Sequence, residues 1–339
     1  MDIPKTFKQA IFKEKGAPLV LEEVPMTPPG NGEVLVKVQA CGVCHSDVFV
    51  QNDGLGGGLP RVPGHEIIGH VAATGEGVTQ WKVGDRIGGA WHGGHDGTCR
   101  QCKKGYYQMC DNELVNGVNK GGGYAEYCLL RAEAGVRVPA DVDAAVYAPI
   151  LCAGVTVFNS MRNMKLGPGS TVAIQGLGGL GHLAIQYANK FGYRVVALSR
   201  GSDKEKFAKE LGAHIYIDGG KGDIGEQLQA IGGADMIVST APSRSAVEPL
   251  LKGLGMLGKL LVLSIPGDIT VNTGLMLRRG LTVQCWPSGH ATDSEDAIEF
   301  TKLENINCMV EKFPLAKVQE AYDAMVKGTV RFRAVITME

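Results

Sequence analysis

Three cysteines fall close together as Cys99-x2-Cys102-x7-Cys110, in a loop that also holds Gly, Lys and Tyr. Thiolates at this spacing suit Zn²⁺, which takes four ligands when its role is structural. Asp96, three residues before Cys99, is the natural fourth ligand, with His95 as its neighbour and alternative; a metal-free loop of reduced thiols is the bland reading. A second set is scattered: Cys44-His45-Ser46-Asp47, Gly64-His65-Glu66 and Cys152. Taken singly, Cys152 reads as a packed core thiol and His65 as an ordinary loop histidine. Together they offer two thiolates and an imidazole, which leaves open the fourth position that a catalytic zinc requires.

A third pattern is Gly176-Leu-Gly178-Gly179-Leu180-Gly181, directly after an apolar run and at the start of a helical one. The first glycine makes the tight turn and the second lets backbone approach a pyrophosphate. The third allows close helix–strand packing, and the helix N-terminus supplies free N–H groups. The end of the next strand decides which dinucleotide is bound. An NAD site usually places Asp or Glu there for the ribose hydroxyls, whereas this chain has Ser199-Arg200-Gly201-Ser202 with Lys204 behind. A hydroxyl and a guanidinium suit a 2′-phosphate, so NADP(H) is favoured over NAD(H).

These residues need elements to hold them. Residues 9–12, 19–24, 33–41, 67–74 and 124–131 read as short strands between Gly and Pro punctuation. From about Val155 strands and helices alternate: strands 171–175, 194–198, 214–217, 236–240 and 260–264, with helical stretches 180–191 and 204–211 between them. That rhythm predicts a parallel sheet covered on both faces. The segments after 281–286, namely helices 294–303 and 315–327 and a strand 334–337, have no place in a six-strand nucleotide fold. The tail is therefore expected to return to the first domain. The fold class is α/β, with a mostly β domain of residues 1–153 and 287–339 and a dinucleotide-binding domain of residues 154–286.

Composition sets bounds on partners. Thirty-four Lys+Arg against 35 Asp+Glu give a net charge of −1, which argues against a nucleic-acid binder. No apolar run approaches the roughly 18 residues of a membrane span, and the N-terminus lacks a signal-peptide pattern. A cytoplasmic location and a small-molecule substrate are expected. Nine cysteines without a secretory signal point to metal ligands or free thiols rather than to disulfides.

In order and spacing, the Cys-His-Ser-Asp and Gly-His-Glu segments, the Cys-rich loop, Cys152-Ala-Gly-Val-Thr156, the glycine turn and the Arg333-Ala-Val-Ile tail resemble the zinc-dependent medium-chain alcohol dehydrogenases, in particular the microbial and cinnamyl-type members. The resemblance covers essentially the whole chain. It implies a GroES-like catalytic domain and a Rossmann domain, with two zinc ions per chain. It gives Cys44, His65 and Cys152 as catalytic-zinc ligands and Glu66 as an acidic residue behind the metal that ligates transiently. Asp47 would orient the ligand histidine, and Ser46 would take or give the alcohol proton. Thr156 would pack on the nicotinamide, while His45 and Arg333 would meet the pyrophosphate. Trp91 and Phe49 would belong to the substrate pocket.

Two departures stand out. Asp96 replaces the first cysteine of the usual four-cysteine loop, and Phe49 stands where many members have a proton-relay histidine. Cys41, Cys128, Cys285 and Cys308 are left as core or free thiols. The implied activity is reversible hydride transfer between NADP(H) and an alcohol–aldehyde or alcohol–ketone pair. A conjugated C=C reductase of the same superfamily and a non-catalytic NADP-binding protein are the alternatives. A homotetramer is expected, with a dimer as the second choice.

Overall fold

Val34, Leu35, Val36, Val38, Ala40 and Cys41 are all buried, so the strand Glu33–Gly42 must have neighbours on both faces and both edges. In the computed structural model, which describes residues 3–338, it is the centre of a seven-stranded sheet. Ile67–Thr74 pairs antiparallel along one edge, followed by Arg86–Gly89 and Val136–Arg137. The other edge is shared by Tyr127–Arg131, opposite Glu33–Lys37, and the C-terminal strand Arg333–Thr337, opposite Ala40–Gly42. The tail thus completes the sheet that the N-terminal residues began. Its register sets Val335 opposite Gly42, so Arg333 is carried beyond the end of the central strand, towards Cys44. A second, two-stranded sheet pairs Thr6–Phe12 with Leu19–Pro25.

Thr171–Gln175 (TVAIQ) is buried at every position, as a strand covered on both faces must be. It belongs to a six-stranded parallel sheet ordered Ile215–Asp218, Arg194–Ser199, Thr171–Gln175, Ala234–Ser239, Leu254–Val262 and Thr282–Cys285. In chain order this is 3-2-1-4-5-6, the doubly wound nucleotide-binding arrangement. The helix Gly181–Lys190 follows the first of these strands.

Two units result. One holds the residues up to Val155, Ser288–Leu303 and those from Asn307 on; the other holds Thr156–Pro287 and Glu304–Ile306. Each has its own buried apolar core. Among the described residues, no single helix is long and apolar enough to cross a membrane.

Several elements differ from their sequence signals. The strand read at 260–264 runs over Leu254–Val262, because its Gly-rich start, Leu-Gly-Met-Leu-Gly, carries no strand pattern but continues the pairing after a register shift. The strand read at 124–131 begins only at Tyr127, and the helix read at 294–303 begins at Ala291. The stretch 315–327 opens as a 3₁₀ turn, Leu315–Lys317, before the helix Val318–Lys327.

Candidate metal centres and active site

The first cluster is assembled from chain ends around one sheet. Cys44 lies just past the central strand, where the chain turns into the short helix Asp47–Gln51. His65 and Glu66 immediately precede Ile67–Thr74, and the Gly42 N–H donates to Glu66 O at 3.0 Å, which locks these two segments together. Cys152 sits between the 3₁₀ turn Ala148–Leu151 and the helix Ala153–Asn163. The ligand atoms of Cys44, His65, Glu66 and Cys152 all lie within 4.8 Å of one another. Cys44 Sγ and Cys152 Sγ are 3.8 Å apart, in hydrogen-bond contact and not joined by a disulfide. Two thiolates each about 2.3 Å from a tetrahedral Zn²⁺ stand roughly 3.8 Å apart, so the pair already has the spacing of a zinc site.

Electrostatics at this cluster follow from packing charge into a dry pocket. The Cys152 thiol holds the Cys44 thiol well below its usual range, and the same bond, with burial, pushes Cys152 up. Burial draws the His65 imidazole down, but the Cys44 thiolate and the carboxylates of Asp47 and Glu66 carry it up to about 9. Burial raises the Glu66 carboxyl to about 7 against the pull of Arg333. Arg333, 5 % exposed, donates through its guanidinium to Glu66 Oε1, while Glu66 Oε2 has no hydrogen-bond partner. A buried carboxylate oxygen without a partner, on a residue that also offers an oxygen to two thiols and an imidazole, is one a cation would satisfy.

Ser46 places its hydroxyl at this cluster. It donates to Cys44 Sγ at 3.1 Å and lies 3.3 Å from His65 Nε2. Asp47 is fully buried, and its Oδ2 accepts the Cys44 N–H at 3.0 Å. Its Oδ1 is 3.7 Å from His65 Nδ1. Trp91 meets His65 edge to face, ring centroids 4.9 Å apart, and so stands beside the ligands. Phe49 contacts the His45 ring at 6.4 Å, and His45 itself is exposed.

The second cluster joins Asp96, Cys99, Cys102 and Cys110, again with ligand atoms within 4.8 Å. Cys99 Sγ and Cys110 Sγ are 3.9 Å apart. Backbone N–H groups of Cys102, Asp96 and Asn112 point at these sulfurs at 3.3–3.5 Å, a surrounding that suits thiolates. Asp96 Oδ1 accepts the N–H groups of Thr98 at 2.7 Å and Cys99 at 2.9 Å, and Oδ2 accepts Asn112 Nδ2 at 2.7 Å. The Cys99 N–H, the Asn112 amide and the Thr98 N–H hold the Asp96 carboxyl well below the usual range. His95 turns elsewhere: its Nδ1 lies 3.2 Å from His92 Nε2, and its ring stacks on Tyr107 at 4.3 Å. The structure therefore brings Asp96 to the three thiols and leaves His95 outside.

In the parallel-sheet unit the glycine turn is tight. Gly176 has φ +96°, and a Cβ on Gly181 would lie 1.9 Å from Gly176 O. Gly178 is different. It is exposed and a Cβ there would meet nothing within 4 Å, so no packing within the chain requires a glycine. Gly179 and Leu180 continue the turn, and Thr156 is half-buried in the helix Ala153–Asn163. Ser199 ends its strand, Arg200 is exposed, and Lys204 closes the 3₁₀ turn Ser202–Lys204. Ser199–Ser202 holds no carboxylate, but Asp203 follows within the 3₁₀ turn and the adjoining strand supplies Asp218. Asp218 Oδ1 accepts the N–H groups of Gly201 at 2.9 Å and Gly220 at 2.8 Å, and so is occupied by backbone.

Of the remaining thiols, Cys41, Cys128 and Cys308 are buried and Cys285 is exposed. Sequence reasoning missed Tyr124, Asn112 and Asp218. Each acts on a site across a gap in the chain, and none carries a local motif.

Residues 30–140 match the alcohol dehydrogenase GroES-like domain family, and residues 179–302 match the zinc-binding dehydrogenase family. The alcohol dehydrogenase patD of Penicillium expansum is 66 % identical over 335 residues, covering 99 % of this chain and 98 % of that protein. Among solved structures, a cinnamyl alcohol dehydrogenase of Sorghum bicolor is 28 % identical with a TM-score of 0.89 over 98 % of both chains. An acetophenone reductase of Geotrichum candidum, solved in complex with NAD, is 27 % identical with a TM-score of 0.87, over 99 % of this chain and 98 % of that one. With its ligand-type residues gathered into two clusters and its glycine turn intact, the chain belongs to the zinc-binding medium-chain alcohol dehydrogenase family.

Proposed function

We propose that this alcohol dehydrogenase is an NADP(H)-preferring carbonyl reductase that uses one catalytic and one structural zinc. The observation that carries the reading is the convergence of Cys44, His65, Glu66 and Cys152 with the Ser46 hydroxyl at two of their ligand atoms. When bound, the metal supplies Lewis acidity to an alcohol or carbonyl oxygen and the dinucleotide exchanges a hydride with the adjoining carbon.

The chain's own residues do the rest. Cys44, His65 and Cys152 hold the catalytic ion, and Glu66, steadied by Arg333, stands by as a transient fourth ligand. Ser46 Oγ takes the proton from the alcohol or returns it to the alkoxide. Asp47 keeps the His65 ring oriented, as ligand imidazoles require. Phe49 has no proton to pass, so the onward route uses the Ser46 hydroxyl with the cofactor ribose, water, or another base. Asp96, Cys99, Cys102 and Cys110 hold the structural ion.

In the other unit, Gly176, Gly178 and Gly181 with the N-terminus of Gly181–Lys190 receive the pyrophosphate. Ser199, Arg200 and Lys204 receive the 2′-phosphate. His45, Thr156 and Arg333 are assigned to the cofactor as well. Trp91 beside His65 suits a flat or aromatic substrate, and the names of the Sorghum and Geotrichum neighbours point the same way. A cytoplasmic homotetramer is the remaining part of the proposal.

A steady-state panel of aromatic and aliphatic aldehydes and ketones, run with NADPH and NADH in parallel and including one enal, tests reaction, cofactor and substrate together. Reduction of the enal at C=O, faster with NADPH, is the expected result. Reduction at C=C, or a preference for NADH, would overturn the corresponding part.

A further inference from the structure

Tyr124 is fully buried, and its hydroxyl donates to Asp47 Oδ2 at 2.7 Å. A phenylalanine would fill the same space, so packing alone does not call for the oxygen. A buried hydroxyl costs free energy unless it is bonded, and this one is bonded to a carboxylate that is itself fully buried.

The carboxylate has two ends. Oδ2 receives two donors, Tyr124 Oη and the Cys44 N–H at 3.0 Å. Oδ1 has no hydrogen-bond partner and faces His65 Nδ1, which has none either, across 3.7 Å. One donor on Oδ2 would fix a distance; two from different directions fix the rotation of the carboxylate. The rotation decides whether Oδ1 faces the imidazole. Of the two donors, the Cys44 N–H belongs to a ligand residue, whereas Tyr124 belongs to another segment, held by its own backbone: its N–H donates to Pro63 O at 3.1 Å and its carbonyl accepts the Ala10 N–H at 2.7 Å.

The chain also makes room for this ring. Gly64, the residue before His65, has φ +99°, and a Cβ there would lie 2.5 Å from Tyr124 Cδ1 and 2.8 Å from Cys41 Sγ. The tyrosine is thus packed directly behind the segment that carries the ligand histidine.

We infer that Tyr124 is a positioning residue for the catalytic metal site: its hydroxyl fixes Asp47, and Asp47 turns His65 so that Nδ1 keeps its proton and Nε2 presents its lone pair to the ligand cluster. The inference rests on the reading of Cys44, His65 and Cys152 as zinc ligands. Partners of this kind one step behind a ligand typically account for about 10–100-fold in metal affinity or activity. Tyr124 acts one step further out, at the lower end of that range.

The test compares zinc-loaded wild type, Tyr124→Phe, Asp47→Asn and the double variant. Three readouts are taken: zinc release to a chromogenic chelator, kcat with KM for the cofactor, and the thermal midpoint. Tyr124→Phe is expected to release one zinc about tenfold faster and to lose about tenfold in kcat, at the low end of the range for such partners, with the cofactor KM held within about twofold. Asp47→Asn should be affected more, and the double variant no more than Asp47→Asn, because both changes break one chain of contacts. The zinc of the Asp96–Cys110 loop should leave at the wild-type rate throughout, as an internal reference.

If Tyr124→Phe lowers the thermal midpoint but keeps zinc release and kcat within twofold of wild type while Asp47→Asn is impaired, Tyr124 only packs and the inference fails. If Asp47→Asn also behaves as wild type, Asp47 does not orient His65 and the inference fails; if wild type binds a single zinc, the reading of Cys44, His65 and Cys152 as ligands fails and takes the inference with it. Should Tyr124→Phe not yield folded protein, Tyr124→Met, smaller, flexible and lacking the hydroxyl, is scored by the same criteria.

Discussion

Replacing Gly64 by alanine adds one methyl group directly before a candidate zinc ligand, and the structure sets its cost from two sides. The backbone at Gly64 has φ +99°, a region that side-chain-bearing residues enter only under strain of about 1–3 kcal/mol. The new Cβ would also lie 2.5 Å from Tyr124 Cδ1 and 2.8 Å from Cys41 Sγ. Tyr124 and Cys41 are both fully buried, so neither yields without moving its own neighbours. Overpacking of this sort costs about 1–3 kcal/mol. The two contributions centre near 4 kcal/mol, which for unfolding of the unit that contains Gly64, about 200 residues, corresponds to a fall in thermal midpoint of roughly 8–16 °C at about 2–4 °C per kcal/mol. Because relief of the clash would displace Tyr124 or rotate the Gly64–His65 peptide, catalytic zinc should be lost as well. Differential scanning calorimetry of the metal-loaded variant, with metal content measured after gel filtration, checks both. A Gly64→Ala protein that melts within about 2 °C of wild type and keeps its full zinc would refute the packing argument.

The other expectations address the separate parts of the site. Arg200→Asp should raise the KM for NADPH roughly tenfold to a hundredfold, the equivalent of about 1.5–3 kcal/mol for a hydrogen bond to a charged group; unchanged preference for NADPH would remove Arg200 from the cofactor site. Asp96→Ala should lower the zinc content from two ions per chain to one and reduce the thermal midpoint, while the folded fraction still turns over; retention of both ions would show that the three thiols suffice. Ser46→Ala should lose roughly 10²–10⁴-fold in kcat, the usual range for a positioned proton-transfer group, with dinucleotide binding measured by fluorescence titration unchanged; a loss under tenfold would mean that water alone carries the proton.

The loop of Cys99, Cys102 and Cys110 was legible from the spacing of its thiols, whereas Cys44, His65 and Cys152, ordinary one by one and with the two cysteines 108 residues apart, were singled out as a set by the resemblance to the family. The glycine turn was legible because it stands between an apolar strand and a helix, where its shape is dictated by local geometry. The choice of Asp96 over His95 was not. It depends on Asn112 and two backbone N–H groups holding the carboxylate in place, and on His92 and Tyr107 drawing the imidazole away. Tyr124 and Asp47 are 77 residues apart in the chain, and Arg333 and Glu66 are 267 apart. Such pairs exist only once the sheet has set its registers, so nothing local announces them. The same holds for Asp218, which reaches the Arg200 loop only because its strand lies beside Arg194–Ser199. The strand Leu254–Val262 was cut short in the sequence reading for a related reason: its glycines read as loop, yet the neighbouring strand still pairs with it.

The most direct test of the account is the metal content and turnover of Cys44→Ala beside wild type, measured by inductively coupled plasma mass spectrometry and by NADPH-dependent reduction of an aldehyde. The account predicts two zinc ions per chain and turnover in wild type. In the variant it predicts one ion, retained by Asp96, Cys99, Cys102 and Cys110, no turnover, and NADPH binding intact. Near-normal turnover by a Cys44→Ala protein that has lost the zinc would contradict it.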